Sequence, residues 1–280
     1  MHDQLIDRVL DLTKYRVPSD GTFVLEEQST DEHDPSISKA EARDILRANR
    51  KTLAGLQERL YAESRRSVLL VLQAMDTGGK DSTIREVLKG VNPQGCRIYG
   101  FKAPSKNELS RDYLWRVHHQ VPPKGHIGIF NRSHYEDVLI VRVHGWASPS
   151  VIEERYQQIN DFERMLSQTG TRIIKVMLNI SKEYQLSRLR RRLERTDKLW
   201  KFNPGDLKER AHWNEYMHAF EIALNKCSTD FAPWYVVPAE TRWYRNLIVS
   251  SLLIRVLEDM NPQYPEPDFD PAQYPPESLT

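Results

Sequence analysis

The chain has 280 residues, of which 39% are hydrophobic and 28% charged, and its formal net charge is +1. This composition is typical of a globular protein and excludes a largely disordered chain. The small net charge argues against a general nucleic-acid binder, and no apolar run approaches the roughly 20 residues of a transmembrane helix. The N-terminus lacks the apolar stretch of a signal peptide, and two cysteines cannot form a disulfide framework. We therefore expect a cytoplasmic protein that binds neither nucleic acid nor membrane.

The N-terminal part of the chain predicts an arm followed by a helix. Residues 1–38 are polar and weakly patterned, which is typical of an arm and not of a domain. Residues 39–64 repeat apolar side chains at helical spacing, which predicts a long amphipathic helix. Its expected buried stripe consists of Ile45, Leu53, Leu56, Leu60 and Tyr61.

Five apolar segments of strand length follow, separated by helical segments, at residues 67–74, 96–101, 126–130, 172–180 and 234–238. Two of the helices between them begin with capping-box spacing, at Ser105-x-x-Glu108 and at Ser150-x-x-Glu153. Strands that alternate with helices predict an α/β fold with a mainly parallel, five-stranded sheet.

The C-terminal part of the chain has two different characters. Residues 246–260 are strongly apolar, and we expect them in the core, although an oligomer face is the alternative. Residues 261–280 contain six Pro, four acids and no base, which predicts an extended or disordered tail.

The segment MDTGGKDST (75–83) lies between the first predicted strand and a predicted helix, which is the context of a phosphate-binding loop. It departs from the pattern G-x-x-x-x-G-K-[ST], because Ala74 replaces the first Gly and Asp81 replaces the Ser or Thr. Gly78 and Gly79 allow backbone N–H groups to face an anion, and the N-terminus of the helix adds partial positive charge. The alternative is a simple strand-to-helix turn.

The side chains of this segment suggest two roles in phosphate chemistry. Lys80 can reach a transferring phosphoryl group, and Asp76 could hold Mg²⁺ directly or through water. Asp81, Ser82 and Thr83 are further phosphate-binding candidates at the helix start.

A second polar cluster follows the third predicted strand, where ligands of α/β proteins bind. Arg132 could bridge phosphate oxygens, and Asn131 could position a metal-bound water. Asn131 and Arg132 are therefore catalytic candidates together with Asp76 and Lys80. The candidates for nucleotide binding are Asn131, Arg132, Glu136 and Asp137, and a solvated helix start is the alternative for the last two. We interpret His134 as a packing or hydrogen-bonding residue and not as a catalytic base.

A basic segment follows the fourth strand, with nine Lys or Arg against four acids between residues 185 and 210. Four of its arginines recur at spacings of three and four, which places them on one helix face. As a group they indicate the lid of a phosphoryl-transfer enzyme, although a solvated face is the alternative for any single one. The candidate lid residues are Arg188, Arg191, Arg192, Arg195, Lys198 and Lys201.

These motifs together resemble the family-2 polyphosphate kinases. The resemblance rests on LQAMDTGGKDSTI, GVNPQGCRIYGFKAPSKNELSRDYLWRVH, IFNRSHYEDVLIVRVH, WKFNPGDLKERAHW and APWYVVPAETRWYRN, in order from about residue 35 to 265. It implies a three-layer P-loop kinase-like fold with a helical lid. The loop with Asp76, Gly78, Gly79 and Lys80 then corresponds to the variant Walker A of the family, and FNRSHYED corresponds to its Walker B region.

The resemblance is strongest to class III of the family, which phosphorylates both AMP and ADP from polyphosphate. Relatives restricted to nucleoside diphosphates carry Asp at the position of Asn131 and another residue at that of Glu136, so both favour class III. Ser82 departs from the Gly or Ala expected there. The implied cofactor is Mg²⁺, with Mn²⁺ as a second candidate, and a track for polyphosphate is expected at Arg85, Lys89, Lys102 and Lys106.

The expected organisation is an arm (1–38), a catalytic domain (39–260) with its lid at about 185–212, and a tail (261–280). The expected partners are inorganic polyphosphate, AMP, ADP and ATP, and we expect a homo-oligomer, either dimer or tetramer. Three other functions stay open: an ATP-dependent nucleoside monophosphate kinase, a non-enzymatic polyanion- or RNA-binding module, and a regulatory P-loop remnant. The first predicts Ser or Thr after Lys80, where this chain has Asp81.

Overall fold

The computed structural model of the chain describes residues 10–278. Its centre is one five-stranded sheet in the order β2-β3-β1-β4-β5, in which every pair is parallel. The strands are β1 (Ser67–Gln73), β2 (Cys96–Gly100), β3 (Ile127–Asn131), β4 (Thr171–Asn179) and β5 (Trp234–Pro238). The predicted parallel α/β sheet is confirmed, and the strand ends differ from the expected ones by one residue at most.

Burial differs between the central strand β1 and the edge strand β2. Every residue of β1 is buried, because this strand has a neighbour on each side and helices over both faces. The edge strand β2 is more open, and the side chain of Ile98 is 56% exposed. The apolar segment at residues 96–101 therefore forms a partly exposed strand.

Ten α-helices connect and cover the strands in the described part of the chain. They are α1 (Lys39–Glu63), α2 (Lys80–Val87), α3 (Lys106–Leu109), α4 (Trp115–His118), α5 (Ile140–Val143), α6 (Pro149–Gln168), α7 (Lys182–Glu194), α8 (Gly205–Ala211), α9 (Trp213–Cys227) and α10 (Arg242–Met260). Shorter 3-10 helices lie at Leu12–Tyr15, Pro93–Gly95, His134–Asp137, Thr196–Lys201, Pro271–Gln273 and Pro276–Ser278.

The helices form two layers over the sheet. Helix α10 packs against α1, α2, β4 and β5, while α6 packs against β4 and α9. Most of α10 is buried, including Leu247, Ile254 and Leu257, so residues 246–260 belong to the core, as we expect from the sequence. In α1 the stripe is as predicted at Leu53, Leu56 and Leu60, but Tyr61 is 43% exposed and lies off it.

The helix starts show one predicted cap and one error. Helix α3 begins with the expected capping box of Ser105 and Glu108. Helix α6 is instead capped by Ser148, whose Oγ accepts a hydrogen bond from the Val151 N–H. The expected box starting at Ser150 is therefore wrong: Pro149 occupies the first helical position, which suits a residue without an N–H, and Ser150 is already helical.

The segments at the two ends of the domain differ in packing. Leu12, Tyr15 and Val17 are buried in the core, and Arg16 forms a β-bridge with Tyr235 of β5. The described part of the predicted arm is thus bound to the domain, while residues 1–9 lie outside the described residues. The tail from 261 to 278 has no strand and only short 3-10 turns, and residues 279–280 lie outside the described part. Within residues 10–278, no helix is long and apolar enough to cross a membrane.

A buried polar cluster lies between β4 and α6. Lys175 Nζ contacts Glu163 Oε2 at 2.5 Å and donates to the hydroxyl of Tyr135 at 2.9 Å, and both charged side chains are almost inaccessible. His134 Nε2 contacts Glu163 Oε1 at 3.1 Å. His134 is therefore a buried hydrogen-bonding residue, as we expect from the sequence.

Candidate active site

The phosphate loop connects β1 to α2 at the carboxyl edge of the sheet. A Cβ at Gly78 would lie 2.6 Å from Ala74 Cβ and 2.9 Å from the carbonyl oxygen of Met75, so this position has room only for glycine. Gly79 has φ +100° and caps α2. Thr77 has φ 67°. This backbone leaves the first N–H groups of α2 free of helical partners, which makes the turn suitable for an anion.

Lys80 is buried in the first turn of α2. Its Nζ donates to the carbonyl oxygen of Ala74 at 2.8 Å. Burial and then the cation of Arg132 lower the pKa of Lys80 to about 8, although Asp76 opposes the shift. The ammonium group is thus held at the loop in an environment that would favour a bound anion.

The three positions after Lys80 all make contacts within the protein, and Asp81 and Ser82 also line the cavity described below. Asp81 accepts a hydrogen bond from Asn131 Nδ2 at 2.8 Å and lies 3.8 Å from Lys201 Nζ. Ser82 donates to the carbonyl oxygen of Gly79, and Thr83 is buried and donates to the same oxygen. Thr83 is not exposed to the cavity described below, so the structure does not support it as a phosphate ligand.

Arg132, directly after β3, faces the phosphate loop. Arg132 has φ 64°, its Nη2 donates to Asp76 Oδ1 at 2.5 Å, and its Nη1 lies 3.7 Å from Glu136 Oε2. Burial disfavours the charge of this guanidinium, but Glu136 and Asp76 outweigh burial and raise the pKa of Arg132 above its ordinary value. Gln73 Nε2 donates to Glu136 Oε1 at 3.2 Å. Glu136 therefore contacts the site through Arg132.

Asp137 lies apart from this group, so the cavity lining gives no support to its predicted nucleotide-binding role. Its carboxylate lies 3.9 Å from Arg155 Nη1, and it does not line the cavity. Burial raises the pKa of Asp137 to about 6, although Arg155 and Arg116 act in the opposite direction. The 3-10 helix His134–Asp137 turns this side chain towards Arg155 of α6, which is the physical reason why it lies outside the cavity.

The basic segment forms α7, a 3-10 helix at Thr196–Lys201, and α8. Gln185 Nε2 donates to the carbonyl oxygen of Asp76 at 3.1 Å, which connects the start of α7 to the phosphate loop. Arg192 Nη1 donates to Asp206 Oδ2 at 2.9 Å. Arg188 and Arg191 have no carboxylate partner within residues 10–278.

One of the lid arginines does not lie where the helical spacing predicts. Arg195 follows the last residue of α7 in an extended conformation, so it does not share the helix face of the other three. It pairs with Asp197 at 3.0 Å, and Lys198 pairs with the same carboxylate at 3.0 Å.

The loop, the end of β3 and the basic segment surround a cavity of about 680 Å³, which we call the basic cavity. Twelve of its lining residues are Lys or Arg and two are Asp, so the cavity has a large excess of positive charge. All six predicted lid cations line it: Arg188, Arg191, Arg192, Arg195, Lys198 and Lys201. Of the predicted polyphosphate track, Arg85 and Lys102 line the cavity, whereas Lys89 and Lys106 do not.

Several lining residues have no role in the sequence-based prediction. They are Thr77, Gly100, Phe101, Ala103, Tyr184, Arg242 and Arg245. Arg242 and Arg245 belong to the motif ETRWYRN, which follows β5 directly. This position is the sequence feature that could have indicated a role for them. The carboxyl end of a parallel strand is where side chains reach the site of an α/β protein.

The acidic groups of the cavity bear on metal binding. Within residues 10–278, no cluster of three or more His, Cys, Asp or Glu could hold a metal alone. Asp76 lines the cavity with one carboxylate oxygen on Arg132, and its other oxygen accepts no hydrogen bond from the described residues. This donor set fits Mg²⁺, which is commonly held by one or two carboxylates together with substrate phosphates and water.

The family model for polyphosphate kinase 2 (PPK2) matches residues 36–265. The chain is 50% identical to the AMP/ADP-polyphosphate phosphotransferase of Meiothermus ruber, over 92% of this chain and 97% of that protein. It is 42% identical to the ADP-polyphosphate phosphotransferase of Rhodopseudomonas palustris, over 82% and 83%.

A solved structure agrees with this similarity. The crystal structure of polyphosphate kinase 2 from Arthrobacter aurescens TC1 superposes with a TM-score of 0.90, at 45% identity, over 95% of each chain. The glycine-bearing loop, the lid and the basic cavity lie within the matched residues. This chain belongs to the polyphosphate kinase 2 family.

Proposed function

We propose that this chain transfers the terminal phosphoryl group of inorganic polyphosphate to AMP and to ADP, giving ADP and ATP, in a reversible reaction. The observation that carries the proposal is the charge of the basic cavity, where twelve cationic residues face two carboxylates. A polyphosphate chain carries about one negative charge per phosphate and would balance this excess. Two relatives named as AMP/ADP- and ADP-polyphosphate phosphotransferases support the same reaction class.

The proposed chemistry needs no general base. The attacking oxygen belongs to a nucleotide phosphate that is already ionised at neutral pH, so the main barrier is repulsion between two anions. Lys80 and the backbone N–H groups of the loop bind and orient the donor phosphate. Arg132 and the lid arginines screen the remaining charge, and the lid excludes water from the reacting groups.

Two carboxylates hold the guanidinium of Arg132 in the proposed site. Asp76 and Glu136 contact its two terminal nitrogens, which fixes the plane of the guanidinium. A planar fork held in this way is suited to bridging two phosphate oxygens. Asn131, which donates to Asp81, keeps the end of β3 next to the start of α2.

Asp76 is the proposed ligand for a divalent cation, which we take to be Mg²⁺, with Mn²⁺ as a second candidate. The ion, when bound, would neutralise phosphate charge and hold donor and acceptor in line. The nearby carboxylates of Asp206 and Glu136 lie in the same region but pair with Arg192 and Arg132.

The proposed site is tested with the variants Asp76→Asn and Lys80→Ala. Both are expected to abolish transfer while the thermal unfolding temperature stays near that of the wild type, because losing one cation or ligand in such a site costs about 10²-fold or more. Lys89→Ala is the matched control, since Lys89 does not line the cavity. Near-normal turnover in either site variant would refute the assignment.

Glu136 is the proposed determinant of AMP use. It contacts the cavity through Arg132, so its removal should alter the position of that guanidinium more than it alters the loop. We expect Glu136→Ala to lower the AMP-to-ADP rate more than the ADP-to-ATP rate. An unchanged ratio of the two rates would exclude this role.

The overall proposal is tested with purified protein, Mg²⁺, long-chain polyphosphate and AMP, by following ADP and ATP with chromatography. ADP followed by ATP, without added ATP, is the expected result. Product from ADP but none from AMP would keep the polyphosphate donor and remove AMP as an acceptor. Transfer from ATP to AMP, with none from polyphosphate, would favour an ordinary nucleotide kinase.

The domain limits follow the same proposal. We assign residues 39–260 to the catalytic domain, about 185–212 to its lid, 1–38 to the arm and 261–280 to the tail. Assembly into a homo-oligomer and a cytoplasmic location are part of the proposal, and light scattering of the purified protein tests the first.

A further inference from the structure

Arg245 is a buried cation next to the phosphate loop that has no role in the reaction described so far. It lies in the first turn of α10, and only 1% of its surface is exposed. Its Nη1 lies 2.0 Å from the position that a Cβ would take on Gly79, so the guanidinium packs directly against the loop backbone. Arg245 also lines the basic cavity.

The hydrogen bonds of Arg245 fix its orientation but leave one nitrogen available. Nε and Nη2 donate to Asn246 Oδ1 at 3.1 and 2.9 Å, and Nη2 also donates to Ser82 Oγ at 3.0 Å. Both acceptors are neutral. Nη1 has no acceptor within residues 10–278, although it is the nitrogen that lies against Gly79.

The charges around Arg245 make its position unfavourable without an anion. Burial lowers the pKa of Arg245 to about 10, and the cations of Arg242 and Arg188 add to this effect, whereas Tyr184 opposes it. The group is still charged at neutral pH, and no carboxylate of the described residues forms an ion pair with it. A cation in the first turn of a helix also opposes the helix dipole. Buried charges are normally paired, so this position favours a bound anion.

We propose that Arg245 is a further phosphate-binding residue, which is held by Ser82 and Asn246 and presents Nη1 to the donor phosphate in the loop Gly78–Lys80. This inference rests on the proposed function, because the anion is the polyphosphate donor. It also gives Ser82 a role: the hydroxyl accepts from Arg245 and donates to Gly79, and so couples α10 to the loop. A Gly or Ala at this position could not make that link.

The test measures kcat and KM for polyphosphate and for ADP in Arg245→Met, Arg245→Lys and Ser82→Ala. We expect Arg245→Met to lower kcat/KM for polyphosphate about 10²-fold, with KM for ADP little changed, and Arg245→Lys to recover part of the loss. Ser82→Ala should have a smaller effect, and adding it to Arg245→Met should change little more, because both act through one contact. Arg255→Met is the control, since it removes the same charge from an exposed position of α10, about 15 Å further along the helix.

A binding measurement separates this inference from the proposed function. Tripolyphosphate should raise the unfolding temperature of the wild type and of Arg255→Met, and this rise should be absent in Arg245→Met. Kinetics and stabilisation of Arg245→Met within twofold of the wild type would overturn the inference alone. If Arg245→Met does not fold, unchanged polyphosphate kinetics in both Arg245→Lys and Ser82→Ala would overturn it. A wild type that is inactive with polyphosphate would refute the proposed function, and the tripolyphosphate measurement would still test Arg245.

Discussion

The low pKa of Lys80 predicts how the reaction should depend on pH. Burial, and then the cation of Arg132, lowers this pKa to about 8 from the ordinary 10.5. Lys80 is therefore charged in the free enzyme below about pH 8 and neutral above it. Because the proposed role requires the ammonium group, activity should be full on the acidic side and should be lost as the pH rises through 8.

The size of the effect follows from the titration of a single group. The value of kcat/KM reports ionisations of the free enzyme, so it should halve near pH 8 and be about tenfold lower at pH 9 than at pH 7. Bound phosphates raise the pKa of a neighbouring cation, so the same decline in kcat should occur at a higher pH. Stability should respond with the opposite sign: the folded-state pKa is below the unfolded one, so the penalty for charged Lys80 is relieved between about pH 8 and 10.5.

The assay is the initial rate of ATP formation from ADP and polyphosphate between about pH 6 and 9.5, at constant ionic strength. Lys80→Arg should be slower but should lack the alkaline decline, because a guanidinium remains charged throughout this range. Lys102→Arg is the control, and its rate should show the same alkaline decline as that of the wild type. A wild-type profile that is flat from pH 7 to 9, or the same decline in Lys80→Arg, would refute the reasoning.

Three further predictions concern the core and the loop. Glu163→Gln should lower the free energy of unfolding in urea by about 3–5 kcal/mol, because Lys175 stays buried without its counter-charge. The double variant Lys175→Met with Glu163→Leu should recover much of this loss. Equal losses in the single and the double variant would contradict this account. Gly78→Ala should abolish transfer because its Cβ meets the loop, whereas Gly55→Ala in α1, with no atom near its Cβ, should stay fully active; two equally active variants would exclude the packing argument. Asp137→Asn should raise the unfolding temperature at pH 7.5 and raise it less near pH 4. Because the pKa of Asp137 is raised to about 6, the fold favours the protonated carboxyl, and the stability that this group contributes is lost as the pH rises through 6. An equal difference at both pH values would argue against it.

The elements that depend on local pattern could be predicted from the sequence. Strand β5 has the limits expected from WYVVP, because this edge strand is buried at all but one of its residues and so needs an apolar run of its own length. The phosphate loop was also predictable, since a strand, two glycines, a lysine and a helix start are adjacent in the chain. The lid cations were found because their spacing is that of a helix, except at Arg195, where α7 has already ended.

Contacts between distant segments could not be predicted in this way. Ser82 and Arg245 are separated by 163 residues, and nothing near either one indicates the other. Lys175 interrupts the apolar pattern of β4, but its partner Glu163 lies on a helix whose orientation the sequence does not give. Asn131 is the last residue of β3, and Asp137 follows the same strand six residues later. The 3-10 helix His134–Asp137 nevertheless directs the carboxylate of Asp137 away from the cavity.

Two residues with left-handed backbone, Thr77 and Arg132, line the basic cavity. This conformation is unfavourable for residues with a side chain by roughly 1–2 kcal/mol each. The backbone at these two positions of the anion site therefore lowers the free energy of unfolding. Laboratory evolution for heat resistance alone should replace Arg132 early with Asn or Gly, which adopt this backbone readily. The selected variants would have a higher unfolding temperature and a lower kcat. Thermal stability and catalytic rate therefore place opposite demands on this residue.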